Sequence, residues 1–393
     1  MDIVYLYIGG SAKQTSVQKK VVCQIHEMNK NGVSARGFFY SNEVKQEEKL
    51  DEYISLKPIP TYTKQHRFFH KRHKSAFDAA YIFNDLKKHK FDYLFVRYGS
   101  PTLSMFKLLK FFGKKTLLYI PSNIISEPYQ EAKHDKFNSV ASWVLKWIDY
   151  FVFSYLFNYY LYLFVLPKLK SAVAFTPEFA NMIKKKSLNR ATVIYNRDGV
   201  DTKAVTPRTY TPSDGAYKLI FLKGSAVQQP WAGLERLVKS IAACPDLKFE
   251  LYITGRVLNE EDFNYPFVKL TGRLSDEDLE KLINSMDIGV SNLANYMIGF
   301  NETTNMKSRD YFARSLPFVQ SNTMPDVIGT KAEKYYLLVE NNSSLIDMDK
   351  VANFIKDMKS DANHIKEMSS FAQEKLDWNI TVKELVKSIK ELN

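Results

Sequence analysis

The stretch from Asn301 to Pro317 carries two carboxylates, Glu302 and Asp310, with Lys307 between them. Asn301 to Thr304 is a polar, cap-forming run, and Met306 to Ser315 has the composition of a short helix stopped ahead of Pro317. A helix start presents backbone N–H groups with no partner inside the helix, and its dipole end is positive. Phosphate is therefore favoured there, and Lys307 in the first turn adds a full charge beside it. Glu302 lies ahead of the helix and Asp310 within it, so each can face hydroxyl groups on a different part of one ligand, while the amides of Thr304 and Asn305 face its phosphates. The alternative is a solvated helix cap with ordinary surface charges.

Glu302, seven intervening residues, Asp310 and then Tyr311-Phe312-Ala313-Arg314-Ser315-Leu316-Pro317 resemble the signature of retaining GT-B glycosyltransferases of the group 1 (family 4-like) type. In that family the second acid is Glu, and Gly stands where this chain has Ser315. The resemblance implies an α/β fold of two doubly wound, Rossmann-like parallel-sheet domains facing a central cleft. It implies a metal-free transfer of sugar from a nucleoside diphosphate, UDP above all, to a cell-surface glycan or polyprenyl-linked saccharide. Glu302 then holds the sugar, Lys307 the diphosphate and Asp310 the ribose, with Asn301, Thr303, Thr304 and Asn305 completing the donor site. The leaving phosphate takes the acceptor's proton, since the family uses no protein nucleophile.

By the same resemblance, Gly224-Ser225 marks the donor loop that opens the second domain. The family's two cations near the diphosphate would fall at Ser225 and Ala232-Gly233, where this chain has neither, so Lys307 carries the charge balance, helped by Lys223 or Arg256. Gly255-Arg256 and Gly272-Arg273 end two strands where the family holds the base. Gly9-Gly10 directly follows the first strand and lets backbone approach a ligand at the carboxyl ends of the strands. The run Ser16 to Val21 opens a helix in the family's manner, and Arg97, Tyr98, Asn123 and Glu127 lie where acceptor and leaving-phosphate contacts are made.

Such residues need a scaffold that brings strand ends together. Apolar strand-like runs alternate with helix-like segments: Ile3–Ile8, Val17–Asn31, Ala35–Phe39, Tyr93–Arg97, Pro101–Phe112 and Thr116–Ile120. The rhythm restarts at Lys218–Leu222, Gly233–Ala243, Lys248–Ile253, Val268–Leu270, Asp276–Met286 and Ile288–Val290. This alternation predicts parallel sheets with helices on their faces. The 393 residues suit two domains. The predicted division is 1–195 for the acceptor and 196–374 for the donor, with residues 375–393 returning to the first domain by resemblance.

Residues 1–190 hold 30 Lys+Arg against 15 Asp+Glu, a net +15, which leaves 25 against 28, or −3, for the remainder. The acid-free stretch from Tyr53 to Phe77 carries Lys64, Arg67, Lys71, Arg72 and Lys74 among aromatics and histidines. It suits an anionic membrane surface or acceptor; nucleic acid and a solvated loop are the other readings. Tyr150 to Pro167 has no charged residue and is dense in aromatics, which fits an interfacial helix or a helix packed on the first sheet better than a membrane span. Cys23 and Cys244 supply neither a disulfide framework nor a metal cluster. The opening residues lack a basic leader and read as a first strand. The expectation is a cytoplasmic protein at the inner face of the membrane. Asp347-Met348-Asp349 reads as a helix cap, and Ser275 with Asp278 as a capping box. Two other classes stay open: an epimerase or inverting transferase, which needs a base in the first domain, and a non-catalytic relative within a polysaccharide pathway.

Overall fold

A computed structural model describes the chain except residues 10, 12–15, 63–69, 136–138, 211–214, 224–228, 258–259 and 393, and the side chains of Ser16, His70 and Arg72. Two compact units result, one of residues 1–197 with 381–393, the other of residues 198–380.

The first unit is built on eight strands: β1 Asp2–Ile8, β2 Ser34–Ser41, β3 Glu48–Lys49, β4 Ile54–Pro58, β5 Tyr93–Arg97, β6 Thr116–Tyr119, β7 Ser171–Ala174 and β8 Val193–Tyr195. Their order is β3-β4-β2-β1-β5-β6-β7-β8. All pair in parallel except β3, which runs against β4. Ile3, Val4, Tyr5 and Leu6 are all fully buried, as expected for a central parallel strand covered on both faces. The carboxyl ends of the neighbouring β1, β5 and β6 bring Gly9, Arg97 and the segment after Tyr119 to one edge.

The tyrosine-rich segment lies in one helix, Val140–Lys168, long and apolar enough by length and composition to cross a membrane. Two stretches of it, Tyr150–Leu156 and Leu161–Val165, wind with π-type turns. One face is packed into the unit: Ser154, Asn158, Leu161, Tyr162 and Val165 are buried. Asn158 accepts the Tyr98 hydroxyl at 2.9 Å and donates to the carbonyls of Ile124 and Ser154 at 2.9 and 2.8 Å. Of the basic stretch, residues 63–69, including Lys64 and Arg67, and the Arg72 side chain lie outside what is described. Lys74 is paired with Asp78 at 2.5 Å, and Lys57, 6% exposed, is paired with Asp85 at 2.9 Å. Those two cations are neutralised within the fold, so the attraction expected of the stretch does not include them.

The second unit holds six strands: β9 Tyr217–Leu222, β10 Phe249–Thr254, β11 Val268–Gly272, β12 Ile288–Val290, β13 Phe318–Gln320 and β14 Tyr336–Leu338. They are parallel throughout, in the order β11-β10-β9-β12-β13-β14. Caps fall where side-chain chemistry places them. Ser275 accepts the Asp278 amide at 3.1 Å, and Asp347 that of Lys350 at 3.1 Å. The last helix is Trp378–Glu391, and Asp377 just ahead of it accepts the Asn379 amide at 2.8 Å. From Thr381 onward its residues belong to the first unit.

Under the sheet of the second unit, Tyr311 is fully buried, and its hydroxyl donates to the carbonyl of Val290 at 3.0 Å and accepts from the Leu222 amide at 3.4 Å. Its ring lies against Gly289, where an added Cβ would meet ring carbons at 2.7 Å. Gly289→Ala is therefore expected to destabilise the chain by about 1–3 kcal/mol through overpacking. An unchanged midpoint in chemical denaturation followed by circular dichroism would mean the ring is free to move away.

Candidate functional site

The helix Met306–Ala313 carries most of the candidate residues, and Asn305 caps it, accepting the Ser308 amide at 2.9 Å. It stops short of the expected Ser315 because that residue takes a left-handed backbone, φ 58°, and donates its hydroxyl to Ile365 O at 2.7 Å. The inward face is fixed twice. Tyr311 reaches between β9 and β12, and Arg309, wholly buried, pairs at 2.7 Å with Asp326, itself only 4% exposed. Sequence reading missed this pair, since both residues look like surface charges and nothing local links them.

The residues ahead of the helix are tied into the same unit. Thr303 N donates to Thr323 O at 2.9 Å and Thr323 N to Asn301 O at 2.9 Å, so Glu302 sits in a short parallel bridge opposite Thr323. Asn341 donates to the Asn301 side-chain oxygen at 3.2 Å. Thr304 is fully buried and accepts the Asp198 amide at 3.4 Å. The Asn305 amide and side chain both donate to Thr303 Oγ1 at 3.2 Å. The expected phosphate contact from the Asn305 amide is thus used by the turn. Among the described residues no bond is found to the amides of Met306 and Lys307, the first two of the helix.

Lys307, Asp310 and Arg314 are spaced to share one helix face. The Asp310 carboxylate accepts from Arg314 Nε at 2.9 Å, and Arg314 also lies 3.7 Å from Glu280. Burial raises the Asp310 carboxyl above the usual range, and Arg314 partly opposes the rise. Lys307 therefore has no carboxylate partner among the described residues. Its ammonium lies 4.2 Å from the centre of the Phe221 ring in β9. Burial, then the nearby charge of Lys223, brings its pKa down to about 7. Lys223, which follows β9 directly, is itself lowered by burial. Two cations brought together without a balancing carboxylate on Lys307 make a site for an anion.

The loop ends beside them are set by backbone. Gly255 has φ 82° and presses on Lys223 O, where a Cβ would come within 2.3 Å, and its amide donates to Gly272 O at 2.6 Å. The structure thus brings Lys223, Gly255 and Gly272 together, with Arg256 and Arg273 exposed on the following loops. Gly224 and Ser225 lie outside the described residues. Trp231 is a core residue, 5% exposed, and Gly233 is required where a Cβ would strike Leu293 at 2.7 Å.

In the first unit, Gly9 has φ 98° and donates to Tyr40 O at 2.9 Å, while Gly10 lies outside the described residues. Gln18 holds the start of that loop by bonds to both backbone groups of Ser11. The Arg97 guanidinium lies 5.0 Å from the centre of the Tyr119 ring, whose hydroxyl accepts from Lys20 at 2.8 Å. Tyr98 holds the long helix through Asn158, and Asn123 accepts the Ser126 amide at 3.2 Å. Both side chains, like those of Thr303, Thr304 and Asn305, make bonds within the fold. Glu127 differs. Burial pushes its carboxyl up to about 7, against the lowering effect of a hydrogen bond from Ser122 and with a further rise from Glu131.

Among solved structures the chain is similar to sucrose-phosphate synthase from Thermosynechococcus elongatus, with a TM-score of 0.68 at 13% identity, covering 100% of this chain and 98% of that one. HepE from Anabaena, in complex with UDP and glucose, gives 0.59 at 12% identity over 100% of both chains. WaaG, a glycosyltransferase involved in lipopolysaccharide biosynthesis, gives 0.57 at 11% identity over 99% of both. No family model and no curated protein sequence matches. At these identities the likeness is one of fold, and the fold is GT-B.

An anion beside Lys307 favours its charged form. Below about pH 7 Lys307 is already protonated; above it, in the empty site, it is neutral and must take up a proton on binding. Affinity for a nucleoside diphosphate is therefore expected to fall as pH rises above 7, by up to about tenfold per unit until the raised pKa of the complex is reached. Lys307→Ala should weaken binding by about 1.5–3 kcal/mol and flatten that dependence. Calorimetry in buffers of different ionisation enthalpy reads the proton uptake directly, and equal affinity at pH 7 and pH 9 would remove Lys307 from the site.

Proposed function

We propose that this chain is a retaining glycosyltransferase that moves a sugar from a UDP-linked donor to a growing cell-surface glycan or a polyprenyl-linked saccharide in the cytoplasm. The observation that carries the reading is the placing of two lysines at the carboxyl end of β9, Lys223 directly after the strand and Lys307, in the first turn of Met306–Ala313, over the Phe221 ring. A diphosphate is the anion that matches two cations and a helix N-terminus together. Support also comes from fold neighbours solved with UDP and with UDP-glucose. WaaG and the lipopolysaccharide galactosyltransferase WaaB, which share the fold, support a glycan acceptor.

In this reading Lys307 and Lys223 hold the diphosphate without a metal ion, and Glu302, fixed by its bridge to Thr323, takes the sugar hydroxyls. Asp310, oriented by Arg314, offers its remaining lone pairs to the ribose. The bond from the anomeric carbon to the diphosphate oxygen breaks, the acceptor oxygen bonds to that carbon on the same face, and its proton passes to the departing phosphate. The lysines balance the charge that develops on the leaving group.

One observation favours a second reading. Glu127, held near neutrality in its titration, is a carboxyl poised for proton transfer in the first unit, as an inverting transferase or an epimerase requires. Product stereochemistry separates the two. The retaining reading predicts an α-linked product from an α-linked donor, seen by nuclear magnetic resonance, and Glu127→Gln then lowers the rate only modestly. Inversion together with near-complete loss of turnover in Glu127→Gln would establish the alternative.

Glu302→Gln should cut transfer strongly while leaving affinity for free UDP nearly unchanged, and Asp310→Asn should weaken the nucleotide itself. Isothermal titration with UDP beside a turnover assay distinguishes these patterns, and their reversal would exchange the two roles. EDTA is expected to leave turnover intact. Restoration of a lost activity by a divalent ion would overturn the metal-free assignment.

A further inference from the structure

The face of helix Val140–Lys168 turned away from the first unit is apolar and exposed. Trp143, Phe151, Leu156 and Phe164 are 49, 54, 45 and 51% exposed. An α-helix repeats about every 3.6 residues, and the π-type turns widen that repeat, so Phe151, Leu156, Tyr160 and Phe164, spaced by five, four and four, keep to one side. The neighbouring helix Leu103–Phe112 extends this face. Phe106 stacks near Tyr160 with ring centres 5.4 Å apart, and the Lys110 ammonium lies 4.7 Å from the centre of the Tyr160 ring. An open depression lies between the two helices, with Leu103 and Phe111 at its rim, 70 and 61% exposed.

Charge around this face is mainly positive, with Asp149 the acid inside Val140–Lys168. Residues 93–126 contain no Asp or Glu and hold Arg97, Lys107, Lys110, Lys114 and Lys115. Residues 150–177 contain none either and hold Lys168 and Lys170. Lys107, Lys114, Lys115 and Lys168 are exposed. In a two-fold dimer through this face the patch would meet itself and set lysine against lysine, whereas an anionic bilayer neutralises it. A span is opposed by the helix's other face, since crossing would strip Asn158 of its three bonds and expose Leu161, Tyr162 and Val165.

We propose that this face, formed by Val140–Lys168 and the outer side of Leu103–Phe112, rests on an anionic lipid bilayer, with its aromatic side chains in the headgroup boundary and its lysines against the lipid phosphates. The helix lies along the surface. Aromatic rings with polar tips and lysine stems suit that depth, and apolar burial with electrostatic attraction provides the two signals that stable attachment needs.

The test uses the full chain with vesicles of phosphatidylcholine alone or mixed with phosphatidylglycerol. Sedimentation should show tighter binding to the anionic vesicles, falling as salt rises. Leu103→Ser with Phe111→Ser should weaken it more than tenfold, and Lys107→Gln with Lys168→Gln by roughly fivefold per lysine, all with UDP affinity unchanged. Because a variant could lose its fold, quenching by brominated acyl chains is read on the unaltered chain and on Trp143→Phe, which should lose part of the quenching. Absence of quenching, vesicle binding unaffected by the Leu103 and Phe111 changes, or a dimer that those changes disperse would overturn the proposal.

Discussion

The helix Met306–Ala313 holds Lys307 beside Lys223, although the two charges repel and burial disfavours both. What keeps it there acts from the opposite face. Arg309 and Asp326 form an ion pair almost wholly out of water, and Tyr311 is bonded to the backbone of two strands at once. Breaking a buried pair by removing one partner typically costs about 3–5 kcal/mol, since the other charge is left stranded. That is enough to pin a helix two turns long against a modest local repulsion. The stability of the second unit and the electrostatics of its candidate site are thus the two faces of one short helix.

The same helix shows how side-chain pairing selects function from composition. Asp310 stands three residues from Lys307 and four from Arg314, and either cation lies within helical reach. It bonds Arg314 at 2.9 Å. With Asp310 bonded to Arg314, Lys307 is available to an incoming anion, and its lowered pKa follows from burial and then from the charge of Lys223. Had Asp310 turned to Lys307, one of the two cations would be neutralised and the site would hold a diphosphate more weakly.

Much of this was legible in the sequence where the determinant is local. Strand β5 begins and ends as its apolar run does, and the caps at Ser275 and Asp347 follow from one side chain and the amide three residues on, while the cap expected within Asn301 to Thr304 falls one residue later, on Asn305. Long-range partners were not legible. Arg309 and Asp326 gave no local sign of burial, and nothing near Tyr98 in the sequence announced its bond to Asn158, sixty residues on. Net charge misled in one place, since Lys57 and Lys74 count toward a basic stretch but are neutralised by Asp85 and Asp78.

The departures from the glycosyltransferase signature are compensated in kind. Ser315 stands where that signature has glycine and adopts φ 58°, a left-handed conformation that costs an ordinary side chain roughly 1–2 kcal/mol. Its hydroxyl recovers a comparable amount by donating to Ile365 O at 2.7 Å, a bond glycine cannot make. In the proposed donor site, the cation absent from Ser225 would have its counterpart in Lys223, two residues earlier and directly after β9, where the close approach of Gly255 fixes its backbone. A motif is a set of physical requirements, here a left-handed turn and positive charge at a strand end, and a chain that meets them with other residues keeps the arrangement while losing the letters.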